Sequence, residues 1–285
     1  MNKRDFKIDF SENDHGQIFP EIELHYQVSK EEVWNRLMAQ IQSPQPQLKR
    51  VVLVHFFRLS IAASLVILMS LTAFLRLYTK TVDCPAGQHF SFYLPDSSYI
   101  ELNAQTKVTY HPYWYKIARN ISLDGEAFFK VTSGNRFSVL SQKGETTVLG
   151  TSFNIYSRNN DYNVTCFTGK VRVVSSENKQ AVLLSPDEQA FINDDGILQF
   201  VQGINSLLVK SWRDNMFIFT GSSVISVIQE IERQYNVKVV FRGDTKLTYT
   251  GNFSKTLSQK EVLDLVCTSL GLTFEAKSGS EFLVN

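Results

Sequence analysis

An excess of charge of either sign is missing from this chain: 29 Lys and Arg stand against 28 Asp and Glu over 285 residues, for a net charge of +1. Residues 1–50 hold seven basic and eight acidic side chains and residues 78–285 hold 20 of each, so neither part offers the basic patch that nucleic acid or another polyanion requires. Cysteine is scarce too. Cys84, Cys166 and Cys267 are odd in number and far apart, with no C-x-x-C pair. That excludes a disulfide framework and leaves buried, idle thiols as the default. The five histidines, at 15, 25, 55, 89 and 111, show no metal-ligand spacing, and His89 and His111 read as hydrogen-bonded residues of a β domain. No phosphate-binding glycine loop, H-E-x-x-H or G-x-S-x-G is present. Gly150-Thr151-Ser152-Phe153-Asn154 begins like a nucleophile turn but lacks the second glycine, so Ser152 reads as a strand residue. Asp124-Gly125-Glu126 sets two carboxylates beside a turn, which reads as turn chemistry or as a partner for Arg119. Nothing in this inventory argues for an active site, a metal or a cofactor.

What is present is one long uncharged run, Leu59 to Leu75, between Arg58 and Arg76. Its 17 residues lie at the lower end of the roughly 17–25 needed to cross a bilayer as a helix, and the flanking arginines can snorkel outward while Leu77 and Tyr78 anchor the interface. A buried helix of a soluble core is the alternative, but the run has no polar face at helical period. Some fifty residues precede it, too many for a secretory signal, so an uncleaved anchor spanning residues 55–78 is expected. Lys49, Arg50 and Arg58 before the run outnumber Arg76 and Lys80 after it, which favours residues 1–54 on the cytoplasmic side.

Before the run, residues 1–28 are polar and aperiodic and read as largely unstructured. Ser29-Lys30-Glu31-Glu32 fits a capping box, Val33, Trp34, Leu37, Met38 and Ile41 follow on one helical face, and Pro44 and Pro46 close the helix. A helix so short cannot bury its apolar face alone and needs a surface, either lipid or a cytoplasmic partner with Trp34 as anchor.

After the run, residues 84–192 are rich in β-branched and aromatic residues with period-two alternation. Strands are expected at 99–103, 107–110, 120–123, 127–131, 137–140, 146–149, 152–156, 163–167 and 170–173, separated by turns that include Asp124-Gly125 and Asp194-Asp195-Gly196. Many short strands with short turns make a mainly-β domain, a sandwich or a solenoid. Residues 211–285 change pattern. A strand at 216–220, a helix with the stripe Val224, Ile228, Ile231 and Tyr235 ended by Asn236, and a strand at 237–241 form one β-α-β unit. A strand at 249–253, a capping box at Ser258 and Glu261, the stripe Val262, Leu265, Val266 and Leu270 ended by Gly271, and a hairpin at 272–284 form a second. The fold class expected is a single-pass membrane protein with a mainly-β domain and a small α/β domain of two β-α-β units.

Several stretches carry a resemblance. Ala86-Gly87-Gln88-His89, Leu94-Pro95-Asp96-Ser97-Ser98, Ile100-Glu101-Leu102-Asn103-Ala104, the run Leu123 to Val131, Val148 to Ile155 and Gly169-Lys170-Val171-Arg172-Val173 resemble, in order and spacing, the periplasmic domain of the FecR family of transmembrane anti-sigma regulators. Trp212 with Phe217-Ile218-Phe219, then Ile231 to Val237 and Tyr249 to Phe253, resembles that family's C-terminal domain, which is similar to the short N-terminal signalling domain of TonB-dependent receptors and secretins. The family's Leu-Pro-Asp-Gly-Ser turn appears here with Ser97 for Gly, and its Pro-Gly-Glu turn appears as Pro186-Asp187-Glu188. The resemblance implies an inner-membrane protein with a cytoplasmic N-terminus and a periplasmic C-terminal region. It would control an extracytoplasmic-function (ECF) sigma factor in response to the signalling domain of a TonB-dependent outer-membrane receptor. Trp34, Leu37, Met38 and Ile41 are then the sigma contacts, and Phe217, Phe219, Arg233 and Tyr235 the receptor contacts. Many family members carry a longer helical domain around the Trp, and here only the segment about Trp34 corresponds. A membrane-anchored glycan-binding β protein is the alternative. A membrane-tethered enzyme would need convergent polar residues in a pocket.

Overall fold

A computed structural model describes residues 28–42, 50–193 and 195–285. The reading of residues 1–27, the prolines at 44 and 46 and Asp194 lie outside the described residues.

Helix α1 (Lys30–Gln42) begins where Ser29 Oγ accepts the Glu32 amide at 3.2 Å, half of the expected capping box, and Glu31 and Glu32 complement the positive end of its dipole. Helix α2 (Arg50–Leu77) contains the apolar run, and Val54–Leu77 is long and apolar enough to cross a membrane. Three of its hydroxyls are satisfied within the helix: Ser60 donates to the Phe57 carbonyl at 2.9 Å, Ser64 to Ile61 at 2.8 Å and Thr72 to Leu68 at 2.8 Å. A span in hydrocarbon needs that pairing, because no water is there to supply it.

Thirteen strands follow: β1 (Lys80–Cys84), β2 (Phe90–Tyr93), β3 (Tyr99–Leu102), β4 (Thr106–Tyr110), β5 (Arg119–Lys130), β6 (Phe137–Leu140), β7 (Gly144–Val148), β8 (Ser152–Arg158), β9 (Asp161–Thr168), β10 (Val171–Ser175), β11 (Ala181–Leu184), β12 (Glu188–Ile192) and β13 (Leu198–Gln202). They pair in the order β11-β10-β7-β6-β5-β8-β9-β12-β13, with β1 on β4, and β2 on β3, attached through β5. Every pairing but β5 with β6 is antiparallel. The end strands β11 and β13 approach each other, so the domain is a nearly closed barrel rather than a solenoid or two separate sheets.

The expected turn at Asp124-Gly125 is not there. Residues 119–130 form one strand, whose first half pairs with β4 and β6 and whose second half pairs with β3 and β8. Gly125 makes the passage possible: its φ is 122°, and a Cβ there would stand 2.6 Å from Thr106 Oγ1. Around this strand the alternation buries Ile121, Leu123, Ala127 and Phe129. Phe129 stacks on Phe153 with centroids 4.9 Å apart at the centre of the core.

A short helix α3 (Ser206–Val209) and a 3-10 turn at Ser211–Asp214 lead into β14 (Met216–Ser223), α4 (Val224–Tyr235), β15 (Lys238–Phe241), β16 (Thr248–Ser254), α5 (Gln259–Leu270), β17 (Phe274–Ala276) and β18 (Glu281–Val284). The local signals are realised. Ser223 caps α4, Asn236 ends it at φ 51°, Ser258 and Glu261 form the capping box of α5 and Gly271 ends it at φ 68°. The expected pair of β-α-β units is corrected. β14 pairs with β16 and β15 lies parallel to β18, so each helix carries the chain from one small sheet to the other instead of between strands of one sheet. Leu265, expected in the stripe of α5, is 47% exposed, and Leu263 is buried instead. The two residues lie on different sides of the helix, and apolar spacing alone does not choose between them.

Candidate functional site

The C-terminal module meets the β domain along a seam of buried polar side chains. The β domain contributes the half-buried His89 from the loop after β1 and the buried Asn103 after β3, Glu126 on β5 and Asn154 on β8. The module contributes Trp212 and, from one side of α4, Glu230, Arg233 and Gln234. Helix α4 is therefore covered twice, with Val224, Val227, Ile228 and Ile231 in the module's own core and the polar trio toward the barrel.

Gln234 ties the two sides. Its Nε2 donates to Asn103 Oδ1 at 2.7 Å and to Glu230 Oε1 at 2.8 Å, while its Oε1 stands 3.0 Å from His89 Nε2. Burial, with Lys255 nearby, lowers the His89 pKa, so the ring is neutral and its Nε2–H donates to Gln234; the ring also meets Trp212 edge-on at 5.4 Å. Glu126 Oε2 accepts from Asn103 Nδ2 at 2.8 Å and its Oε1 from Asn154 Nδ2 at 3.0 Å, and Asn154 Oδ1 accepts from Trp212 Nε1 at 3.4 Å. Removal from water pushes the Glu126 carboxyl up to about 7, and the charge of Glu230 adds to that, against the pull of Arg158 and of the two amide bonds. Around this centre Arg213 donates to Glu101 at 2.8 Å with its guanidinium 3.8 Å above the Phe128 ring. The Gly87 amide donates to the Arg233 carbonyl at 2.8 Å, and Lys255 Nζ donates to the Gly87 carbonyl at 2.9 Å.

Between the parts lies a cavity of about 250 Å³ lined by Asn103, Glu126, Asn154, Trp212, Phe217 and Glu230 among others. That is below the roughly 300–1,000 Å³ of small-molecule sites. The chemistry on offer is attachment. Water can replace these hydrogen bonds when the seam parts, so separating it costs less than separating an apolar face of equal area.

The expected contact residues fall in two places. On α1 none of the side chains is buried: Trp34 is 59% exposed, Leu37 48% and Ile41 72%, with Met38 partly covered. In the C-terminal module Phe217 is buried against Phe253, Phe219 is half-buried beside Tyr249 and Phe253, and the Tyr235 hydroxyl donates to the Ser254 carbonyl at 3.3 Å. Arg233 is buried, with Nε and Nη2 on Glu230 Oε2 at 3.0 and 2.7 Å. The expected receptor-contact residues thus lie in the module's core and in the seam. The pairing suggested for Arg119 is also corrected: its guanidinium binds Asp96 and the carbonyls of Thr132 and Asn135, whereas Glu126 belongs to the seam. Sequence reading passed over Asn103, Asn154 and Gln234, whose partners stand up to 145 residues away.

Residues 80–172 match the family described as FecR protein, and residues 216–284 match FecR, C-terminal. Two crystal structures of a candidate anti-sigma factor from Parabacteroides distasonis are similar. One, at 26% identity and a TM-score of 0.66, covers 72% of this chain and 98% of the other; the second, at 27% and 0.66, covers 73% and 98%. No curated protein matches the chain.

Proposed function

The chain belongs to the FecR family, and from that premise we propose that it relays a signal across the inner membrane to an ECF sigma factor. The observation that carries this reading is the largely exposed apolar stripe of α1, which precedes the membrane-length helix in the chain while the β domain and C-terminal module follow it. Trp34, Leu37, Met38 and Ile41 then form the sigma contact, since an amphipathic helix of 13 residues gains its stability from the groove that receives it.

On the periplasmic side the signalling domain of a TonB-dependent outer-membrane receptor engages residues 211–285. Because Phe217, Phe219, Arg233 and Tyr235 face inward, they shape the module, and the partner meets its surface. The outer edge of β15, where Val240 is 37% exposed, can accept an added strand. Coupling then takes the form of a receptor contact that biases the seam, followed by proteolysis next to the membrane, because one helix transmits a packing change poorly.

The test is a capture from detergent-solubilised membranes with a tag ahead of residue 30, repeated with Trp34→Ala and Leu37→Ala. Recovery of a sigma factor that both substitutions weaken supports the relay. Recovery of a receptor without any sigma factor overturns the cytoplasmic half of it, and a chain that retains envelope glycan instead of either partner overturns the whole.

A further inference from the structure

We propose that the loop following β4, residues 111–118, is a foot that rests in the headgroup layer of the bilayer crossed by α2. This rests on the reading of α2 as a membrane span.

Chain geometry places the loop there. Only Tyr78 and Thr79 separate the end of α2 from β1, and Lys80, the first residue of β1, pairs with Tyr110, the last of β4. The loop that leaves Tyr110 must therefore start beside the end of the helix. His111 Nδ1 lies 3.2 Å from the Tyr78 carbonyl, and the Tyr113 ring packs on Tyr78 at 5.3 Å and on Phe74 at 6.5 Å. Phe74 belongs to the uncharged run itself, so a ring resting on it stands at membrane depth. Arg76 lies over Trp114 at 5.7 Å, a cation–π contact at the level where Trp, Tyr and snorkelling Arg gather at bilayer surfaces.

The loop is built to carry load. Tyr115 is buried in the barrel core, packed edge-on to Tyr110 at 5.9 Å, and the amides of Ile117 and Ala118 both donate to the Trp114 carbonyl. Tyr113 and Ile117 remain 58% and 69% exposed, and Lys116 is exposed beside them. An isolated exposed apolar side chain needs no explanation. Here aromatic, aliphatic and basic side chains share one loop with no acidic residue, joined to the end of the span. A lipid surface with anionic headgroups fits that composition.

The experiment places a nitroxide at Ile117→Cys in the full chain, reconstituted in vesicles of phosphatidylethanolamine and phosphatidylglycerol, with Leu68→Cys in α2 as a second site. Cys84, Cys166 and Cys267 are buried, and the unlabelled parent measures any background from them. Collisions of the label with oxygen, which partitions into lipid, are compared with those of a water-soluble nickel chelate. The foot predicts an excess of oxygen over chelate at both sites, larger at Leu68. Free access of chelate at Ile117 but not at Leu68 overturns the foot and leaves the span standing. Protection of Ile117 from both reagents shows that protein covers the loop, a second copy or a partner, and overturns it too. Chelate access at both sites removes the span and the foot with it.

Discussion

Glu126 shows how a single carboxyl can make the seam sensitive to its surroundings. Its folded pKa of about 7 stands above the ordinary 4.5, so the folded chain binds the proton more tightly than the unfolded one. The destabilisation from burying the charge is fully present above pH 7 and is relieved as pH falls toward 4.5. Replacing it by Gln removes that dependence. The melting temperature of the Glu126→Gln variant, measured against wild type from pH 4.5 to pH 7.5, should therefore gain on wild type steadily as pH rises. A constant difference would mean that the carboxylate is solvated at the seam. In the sequence Glu126 reads as one of two carboxylates beside a turn or as a partner for Arg119. Its partners Asn103, just after β3, and Asn154, on β8, lie 23 and 28 residues away, and their positions follow from strand pairing, which residue order does not display.

At the scale of elements the long strand β5 joins the faces of the barrel, and its passage depends on one backbone conformation. Gly125→Ala adds a methyl group at a φ of 122° with Thr106 atoms at 2.6 to 2.8 Å, whereas Gly271→Ala adds one at 68° with nothing within 4 Å. The first should cost more than about 2 kcal/mol and the second about 1 kcal/mol, an order that thermal unfolding in detergent would resolve. The helix ends in the module were legible because caps are local: a Ser with Glu three residues later, an Asn or a Gly after the last buried residue. The strand pairings were not. A glycine after an aspartate reads the same whether the chain turns or runs straight through, and only the approach of Thr106 distinguishes the two. In the module, helices that cross between sheets and helices that return to the same sheet have the same apolar stripe.

Across the whole molecule the seam decides whether the C-terminal module and the barrel act as one body. Gln234→Leu removes hydrogen bonds to His89, Asn103 and Glu230 in one substitution. Hydrogen–deuterium exchange should then accelerate in residues 85–89 and 211–235 while β5 and β8 stay protected. Exchange that rises uniformly through the barrel would show that the seam is part of one cooperative core and cannot open by itself. The two residues between α2 and β1 have a further consequence, which concerns reach. At no more than about 3.6 Å per residue, Tyr78 and Thr79 give a tether of about 7 Å, which, with α2 across a bilayer as proposed, is too short for the barrel to wander from its surface. In the proposed relay, a receptor held in a different membrane therefore has to supply the length that bridges the gap, and the volume searched before they meet is set by the receptor's leash.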